Sequence, residues 1–305
     1  MWEINPGTGL EIQLPASFND QTMYEFIAQA VDGQCNAQSS TIVFGFNNLA
    51  FISPVGIVVL SNLIEYFNKI GVKTYFSGHK FITEPISYLD DSGFFKRYIG
   101  SCVKASASVR PTTFPLSLVK NINALLFVQD RVIPWASDHL GSPEGSLDTV
   151  RVCIEEIFHN IQDHSGVQMG CIFAQFFPKT NRLEIAISDF GFGIPHRIQT
   201  VQPTLNDTDA LRLAIQEGFT TKTNVHNRGV GLTTLMKYVT IRNGGTVLIA
   251  SGKAQLSAVL DQNATKITVR TKPVSYPGTL VKVILRTDRL AQLAADIQPE
   301  DFSWK

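Results

Sequence analysis

The run from 146 to 188 limits what this chain can fold into more than any other. A helical pattern over 146–164 puts Val150, Ile154, Ile157, Phe158 and Ile161 on one apolar side. Two β-rich runs follow, 171–177 and 183–188, joined by a turn-forming segment at 178–182. An amphipathic helix leading into a hairpin predicts an antiparallel strand pair. Downstream, the Thr- and Asn-rich stretch 195–228 reads as a long loop. Helix, strand and strand are then expected at 232–239, 246–250 and 279–286. Just upstream, 116–132 has a helical pattern that ends in a break over 134–145.

The first hundred residues alternate differently. Strand-like runs at 9–14, 41–46 and 72–76 are separated by helical patterns at 20–31 and 56–70, which predicts a small α/β unit with a mixed sheet. Between 101 and 115 the sequence turns small and polar around Pro111 and Pro115, marking a domain boundary. A chain of 305 residues at ~100–200 per domain fits two domains, each with its own core.

Charge excludes one class of function. Lys and Arg total 26 against 26 Asp and Glu. Residues 1–140 hold 9 basic and 11 acidic groups, and 141–305 hold 17 and 15, so neither part presents a polyanion-binding balance. Nucleic acid is not an expected partner. Cys35, Cys102, Cys153 and Cys171 form no CxxC pair and read as small apolar side chains. The start of the sequence lacks a signal-peptide pattern, and no apolar run approaches the ~20 residues a membrane span needs. The expectation is a cytoplasmic protein with no membrane partner.

Three short patterns could carry chemistry. Glu156, Asn160 and His164 lie four apart, so a helix projects all three from the side opposite its apolar stripe. A carboxylate base beside an amide oxygen able to hold Mg²⁺ suits phosphoryl transfer, although a polar helix face is ordinary in itself. Asp189, Gly191 and Gly193 stand at the end of the second β run. There a carboxylate can accept from an exocyclic amine such as that of adenine, and glycines let the backbone turn beside a flat ring; Asp and Gly also make plain turns. Gly229, Val230 and Gly231 open the helix at Leu232, where free N–H groups and the helix dipole favour phosphate, and where a glycine loop without ligand reads the same way.

Taken in order, these patterns resemble the ATP-binding domain of the GHKL superfamily of gyrase, histidine kinase and MutL-type ATPases. The likeness spans about 116–290 and includes Gly278-Thr279-Leu280-Val281-Lys282-Val283, similar to that family's closing strand. It implies a Bergerat-type α/β sandwich, with helices on one face of a mostly antiparallel sheet, and ATP and Mg²⁺ as ligands. Asn160 would hold the metal, and Glu156 would orient or deprotonate the nucleophile. Asp189 would bind the adenine amine, with Gly191, Gly193 and Ile194 shaping the turn beneath the base. Gly229, Val230, Gly231 and Leu232 would border the phosphates, Thr279 would support the adenine end, and Lys222 and Arg228 would belong to a closing lid. His164 falls where that family varies.

Residues 1–105 resemble a STAS domain, the fold of anti-sigma-factor antagonists, through the strand at 42–46, the segment 48–57 and the stretch 88–95. Pro54 stands where that family carries its phosphate-accepting serine, so phosphorylation there is excluded. Ser53 reads instead as a helix N-cap ahead of proline. The resemblances together imply a STAS-like docking or regulatory unit over 1–105, an ATP-binding domain over 106–290 and a tail over 291–305.

Three outputs remain open at this point: a protein serine/threonine kinase akin to anti-sigma-factor kinases, an ATPase switch, and an interaction protein with a degenerate pocket. Keeping both Glu156 and Asn160 argues against the last. A topoisomerase or mismatch-repair role would need a transducer domain, and about 20 residues follow the final strand. The partners implied are ATP and another protein, and a homodimer stays open.

Overall fold

The computed structural model describes residues 9–120, 123–140, 147–164, 169–216 and 231–290, with backbone only at Thr149, Cys153, 159–164 and Gly231. The N-terminal part holds β1 (Leu10–Gln13), β2 (Ser17–Phe18), α1 (Met23–Ala30), β3 (Thr41–Gly45), β4 (Phe51–Ile52), α2 (Pro54–Lys69), β5 (Lys73–Ser77), α3 (Glu84–Asp91) and α4 (Phe94–Tyr98). Its main sheet has the order β1-β3-β5, with both pairs parallel, and β2 and β4 form a second parallel pair. The expected mixed sheet is therefore corrected to parallel. Each step from β1 to β3 and from β3 to β5 passes through a helix, and a helical crossover returns the chain in the same direction.

The remainder forms β6 (Thr113–Lys120), α5 (Ala124–Phe127), α6 (Ile133–Leu140), α7 (Asp148–His164), β7 (Met169–Phe177), β8 (Arg182–Asp189), α8 (Gly193–Gln199), α9 (Asp207–Ala214), α10 (Gly231–Lys237), β9 (Thr246–Asp261) and β10 (Ala264–Arg286). Its five strands run in the order β6-β7-β8-β10-β9, and every pair is antiparallel.

Three sequence expectations give way here. The helical reading of 116–132 fails in its first third, because 116–120 belongs to β6, which pairs with β7 along its length. Pro134 does not break the chain: α5, a π-helical turn at Val128–Val132 and α6 follow one another without a gap, and Pro134 sits just after that wide turn. The strands expected at 246–250 and 279–286 are the sheet-embedded ends of one long hairpin. Its tip is Gln262-Asn263, with φ of 47° and 67°, the two left-handed residues of a tight two-residue turn.

Helices were expected on one face of this sheet, and both faces are covered. Strand alternation shows it directly. Ile172 and Ala174 of β7, with Leu183, Ile185 and Ile187 of β8, pack under the C-terminal helices. Their neighbours Cys171, Phe173 and Ala186 join Tyr276 and Leu280 in a single apolar cluster with the N-terminal part. Such strands carry apolar residues at both parities, as strands buried on two sides do.

Helix α2 is the middle of that second layer and packs on β4, β5, β7 and β8. Ser53 caps it, its Oγ accepting from the Gly56 N–H at 3.3 Å, with Pro54 at the first helical position as the sequence predicts. Val55, Ile57, Val58, Val59, Leu60, Leu63, Ile64 and Phe67 are all buried, so the helix is apolar around most of its girth. Each such side chain contributes about 1.5–3 kcal/mol of transfer free energy. The two sheets thus share one core across α2.

The polar stretch after α4 is held in place. Asp90 accepts the N–H groups of Val103 and Lys104 at 3.0 and 2.7 Å. Asp91 accepts from Lys104 Nζ at 3.1 Å, the Ser108 N–H at 3.3 Å and Arg110 Nε at 2.9 Å. Further ties cross to the sheet: Tyr88 Oη donates to Gln175 at 3.1 Å, and Lys282 Nζ meets Asp20 at 2.7 Å.

Candidate functional site

The end of β8 organises the site. Asp189 is fully buried and sits opposite Thr279 of β10 in the strand register. Its Oδ1 accepts the Gly191 N–H at 2.7 Å, which folds the chain back at once. Gly193 and Gly278 then meet backbone to backbone, at φ of 79° and 82°. A Cβ on Gly278 would lie 2.3 Å from the Asp189 carbonyl oxygen, and one on Gly193 would lie 2.7 Å from the Gly278 carbonyl oxygen. Only glycine fits at both places.

Ser251 of β9 ties the turn together. Its Oγ accepts the Ile194 N–H at 2.9 Å and donates to the Gly278 carbonyl at 2.7 Å, with Thr279 Oγ1 at 3.2 Å. Behind it, Ser188 Oγ donates to the Thr279 carbonyl at 2.9 Å and pairs with the Tyr276 hydroxyl. Every buried side-chain polar atom in this knot has a partner among the described residues except one. Asp189 Oδ2 is buried and has no hydrogen-bond partner among the described residues.

That oxygen sets the electrostatics. Burial pushes the Asp189 carboxyl up to about 7, against the pull of the Gly191 and Thr279 backbone groups. A carboxylate in this position is an acceptor awaiting a donor. An unpartnered buried acceptor costs about 1–3 kcal/mol, so a donor that reaches it regains that free energy on binding.

The other sequence-predicted residues divide into two groups. Helix α7 is continuous from Asp148 to His164 and packs on β7, β8, α8 and α10, with Ile154, Ile157 and Phe158 in the core. Glu156 is half-buried on it. The side chains of Asn160 and His164, and the whole of Lys222, Arg228, Gly229 and Val230, lie outside the described residues. Gly231 begins α10, as expected of a glycine opening a helix, and Leu232 packs into the core beside Leu235 and Met236. Ile194 is also a core residue, its N–H already taken by Ser251. The structure thus brings Asp189, Gly191, Gly193, Ile194 and Thr279 together in one knot.

The long loop expected over 195–228 is corrected in its first half. It contains most of α8 and all of α9, the latter capped by Asn206, whose Oδ1 accepts the Asp209 N–H at 2.9 Å. Asp207 fastens α9 to the sheet by accepting the Lys253 N–H at 2.7 Å. Sequence reasoning also missed Ser251, a small residue inside a strand with no motif around it. Gly278 was legible only as the residue before Thr279.

Among the described residues no group of three His, Cys, Asp or Glu side chains is placed to hold a metal. No helix there is long and apolar enough to cross a membrane.

No protein-family model matches the chain, and no curated protein matches its sequence. Solved structures similar to it include the ATPase region of Saccharomyces cerevisiae topoisomerase II, at 9% identity and a TM-score of 0.25, over 41% of this chain and 33% of that one. The B-subunit of the DNA gyrase from Myxococcus xanthus is 11% identical with a TM-score of 0.25, over 53% of this chain and 42% of that one. The chain spans less than half the length of each of these two structures.

Proposed function

We propose that this chain binds ATP with Mg²⁺ at the Asp189 knot and acts as a signalling phosphotransferase on a serine or threonine of a partner protein, in the manner of anti-sigma-factor kinases. The observation that carries the reading is the unpartnered Oδ2 of a fully buried Asp189 at a strand end, hemmed by two glycines that no other residue can replace. Adenine supplies the missing partner through its exocyclic N–H. Thr279, beside Asp189 in register, supports that end of the base. The resemblance read from the sequence assigns Asn160 to the metal, Glu156 to the nucleophile, and Gly229, Val230, Gly231, Lys222 and Arg228 to the phosphates and lid. When bound, Mg²⁺ would neutralise phosphate charge. On the same reading 1–105 is a regulatory or docking unit, 106–290 the nucleotide domain and 291–305 a tail.

One observation favours a second reading, an ATP-gated switch without phosphotransfer. Phe190, next to Asp189, stacks on Tyr66 of α2 at 5.9 Å between ring centroids, so the nucleotide turn touches the N-terminal part directly. Incubation with γ-labelled ATP and Mg²⁺, following both labelled protein and free phosphate, separates the two. The kinase reading expects labelled partner or labelled chain, with Glu156→Ala lowering turnover while ATP affinity holds. Full turnover in Glu156→Ala contradicts the assigned base. Failure of ATP to bind in calorimetry contradicts both readings.

A further inference from the structure

Asp189, Thr279 and Ser251 form one row across β8, β10 and β9. Thr279 stands opposite Asp189 in one register and opposite Ser251 in the other. Residues directly opposite share a sheet face with Cβ atoms about 4.5–5.5 Å apart, so Thr279 has a polar neighbour on each side. All three are buried, Thr279 at 6% exposure and the other two at 0%.

A hydroxyl has one proton to give, and the row fixes where each proton goes. Ser251 Oγ lies 2.7 Å from the Gly278 carbonyl oxygen, which can accept but not donate, so Ser251 spends its proton there. Its lone pairs take the Ile194 N–H at 2.9 Å and meet the Thr279 hydroxyl at 3.2 Å. Ser251 has no second proton for that last contact, which makes Thr279 its donor. The Thr279 proton therefore points away from Asp189. Asp189 Oδ2 stays without a partner among the described residues although a hydroxyl stands next to it in the row.

We infer that Ser251 is a positioning residue that, by accepting the Thr279 proton, keeps Thr279 from donating to Asp189 and so holds the Asp189 acceptor open for a ligand N–H. That this ligand is ATP rests on the nucleotide reading above. The raised Asp189 carboxyl fits the arrangement, because a hydroxyl donating to the carboxylate would hold it lower. The groups that pull it down are backbone ones, at Gly191 and Thr279, and no charged side chain among the described residues pairs with it. The titratable side chain facing it is Tyr276, which burial keeps neutral beside Ser188.

The test follows the Asp189 carboxyl of the full chain by NMR with isotope-labelled aspartate, its signal identified by its loss in Asp189→Asn. It is titrated without nucleotide, and ATP affinity with Mg²⁺ is measured alongside by calorimetry. Thr279→Val removes the hydroxyl and leaves Ser251 in place, so the Asp189 midpoint should stay at its wild-type value. Ser251→Ala frees the Thr279 hydroxyl to turn to Asp189. The midpoint should then fall by about one pH unit or more, and ATP affinity by about tenfold or more. In a Thr279→Val background the same Ser251→Ala change should leave the midpoint in place and cost less than about threefold in ATP affinity.

A midpoint that rises in Thr279→Val overturns the inference, because Thr279 would already be serving Asp189. So does a Ser251→Ala midpoint equal to that of the wild type, or an equal loss of ATP affinity from Ser251→Ala in both backgrounds, the mark of a serine that only braces the turn. Should Ser251→Ala fail to fold, the Thr279→Val titration decides alone. A wild type that binds no ATP contradicts the nucleotide reading, and the titrations still decide the proton arrangement.

Discussion

Two groups of buried carboxylates, one at each end of the same core, are treated in opposite ways. Asp90 and Asp91 end α3, and both oxygens of each are met by N–H groups, Lys104 or Arg110. Burial alone would push Asp91 up, but those donors outweigh it and hold the carboxyl below its ordinary range. Asp189 is more deeply buried and has one oxygen with no donor, and its carboxyl is pushed up to about 7. The first pair pins the polar stretch between the two sheets; the second site is left incomplete. A fold that gives two buried acids five donors between them leaves this one with an open oxygen. That difference is what the proposed reading of Asp189 as a ligand-binding residue rests on.

The largest expected effect breaks the satisfied side. Asp90→Ala strands two backbone N–H groups at about 1–3 kcal/mol each, so urea unfolding should show a loss of about 2–6 kcal/mol. ATP affinity at a folding temperature should stay within twofold, because nothing in the knot touches Asp90. Asp189→Asn should do the reverse. Loss of a charged hydrogen bond in a buried pocket weakens ATP binding by about 1.5–3 kcal/mol, roughly ten- to a hundredfold in calorimetry. Its stability should not fall, since the carboxylate it replaces was uncompensated.

The two acids also predict opposite pH behaviour. A carboxyl raised from 3.8 to about 7 binds more protons in the native state than unfolded between those values, so its contribution to stability falls as pH rises through that window. Asp91, held low, contributes stability that is present above the ordinary carboxylate range and lost as pH falls below it. Urea unfolding of the wild type and Asp189→Asn at pH 4.5, 5.5, 6.5 and 7.5 isolates the first term. The wild type should lose stability relative to the mutant as pH rises, and parallel profiles would remove the raised carboxyl. The smallest effect concerns the contact between regions. Tyr66→Ala removes the ring beneath Phe190 and should weaken ATP binding two- to fivefold without touching the pocket.

Much of this comparison was legible before any coordinates. The helix at 146–164, the hairpin after it, Asp189 at a strand end and the Ser53-Pro54 start of α2 all follow from local signals that tertiary packing does not override. What stayed hidden is non-local. β6 reads as helix because Leu116, Leu118 and Val119 suit either period in a short run. The long β9–β10 hairpin turns on Gln262-Asn263, which lacks the usual glycine. Burial of both sheet faces depends on α2 arriving from a hundred residues away, and Ser251 gains its role only because Gly193 and Gly278 converge on it. Asp91 gave no signal at all, since its donors come from a segment that reads as linker.

The central claim is that the open oxygen of Asp189 receives the exocyclic amine of adenine, and one comparison tests it most directly. Calorimetric affinities for ATP and for inosine triphosphate, which carries a carbonyl in place of that amine, are measured with Mg²⁺ in the wild type and in Asp189→Asn. The wild type should prefer ATP by at least a hundredfold, because the inosine carbonyl leaves a buried carboxylate facing another acceptor. In Asp189→Asn the amide can donate to that carbonyl, and the preference should shrink to within about tenfold. Equal affinity of the wild type for both nucleotides would contradict the account.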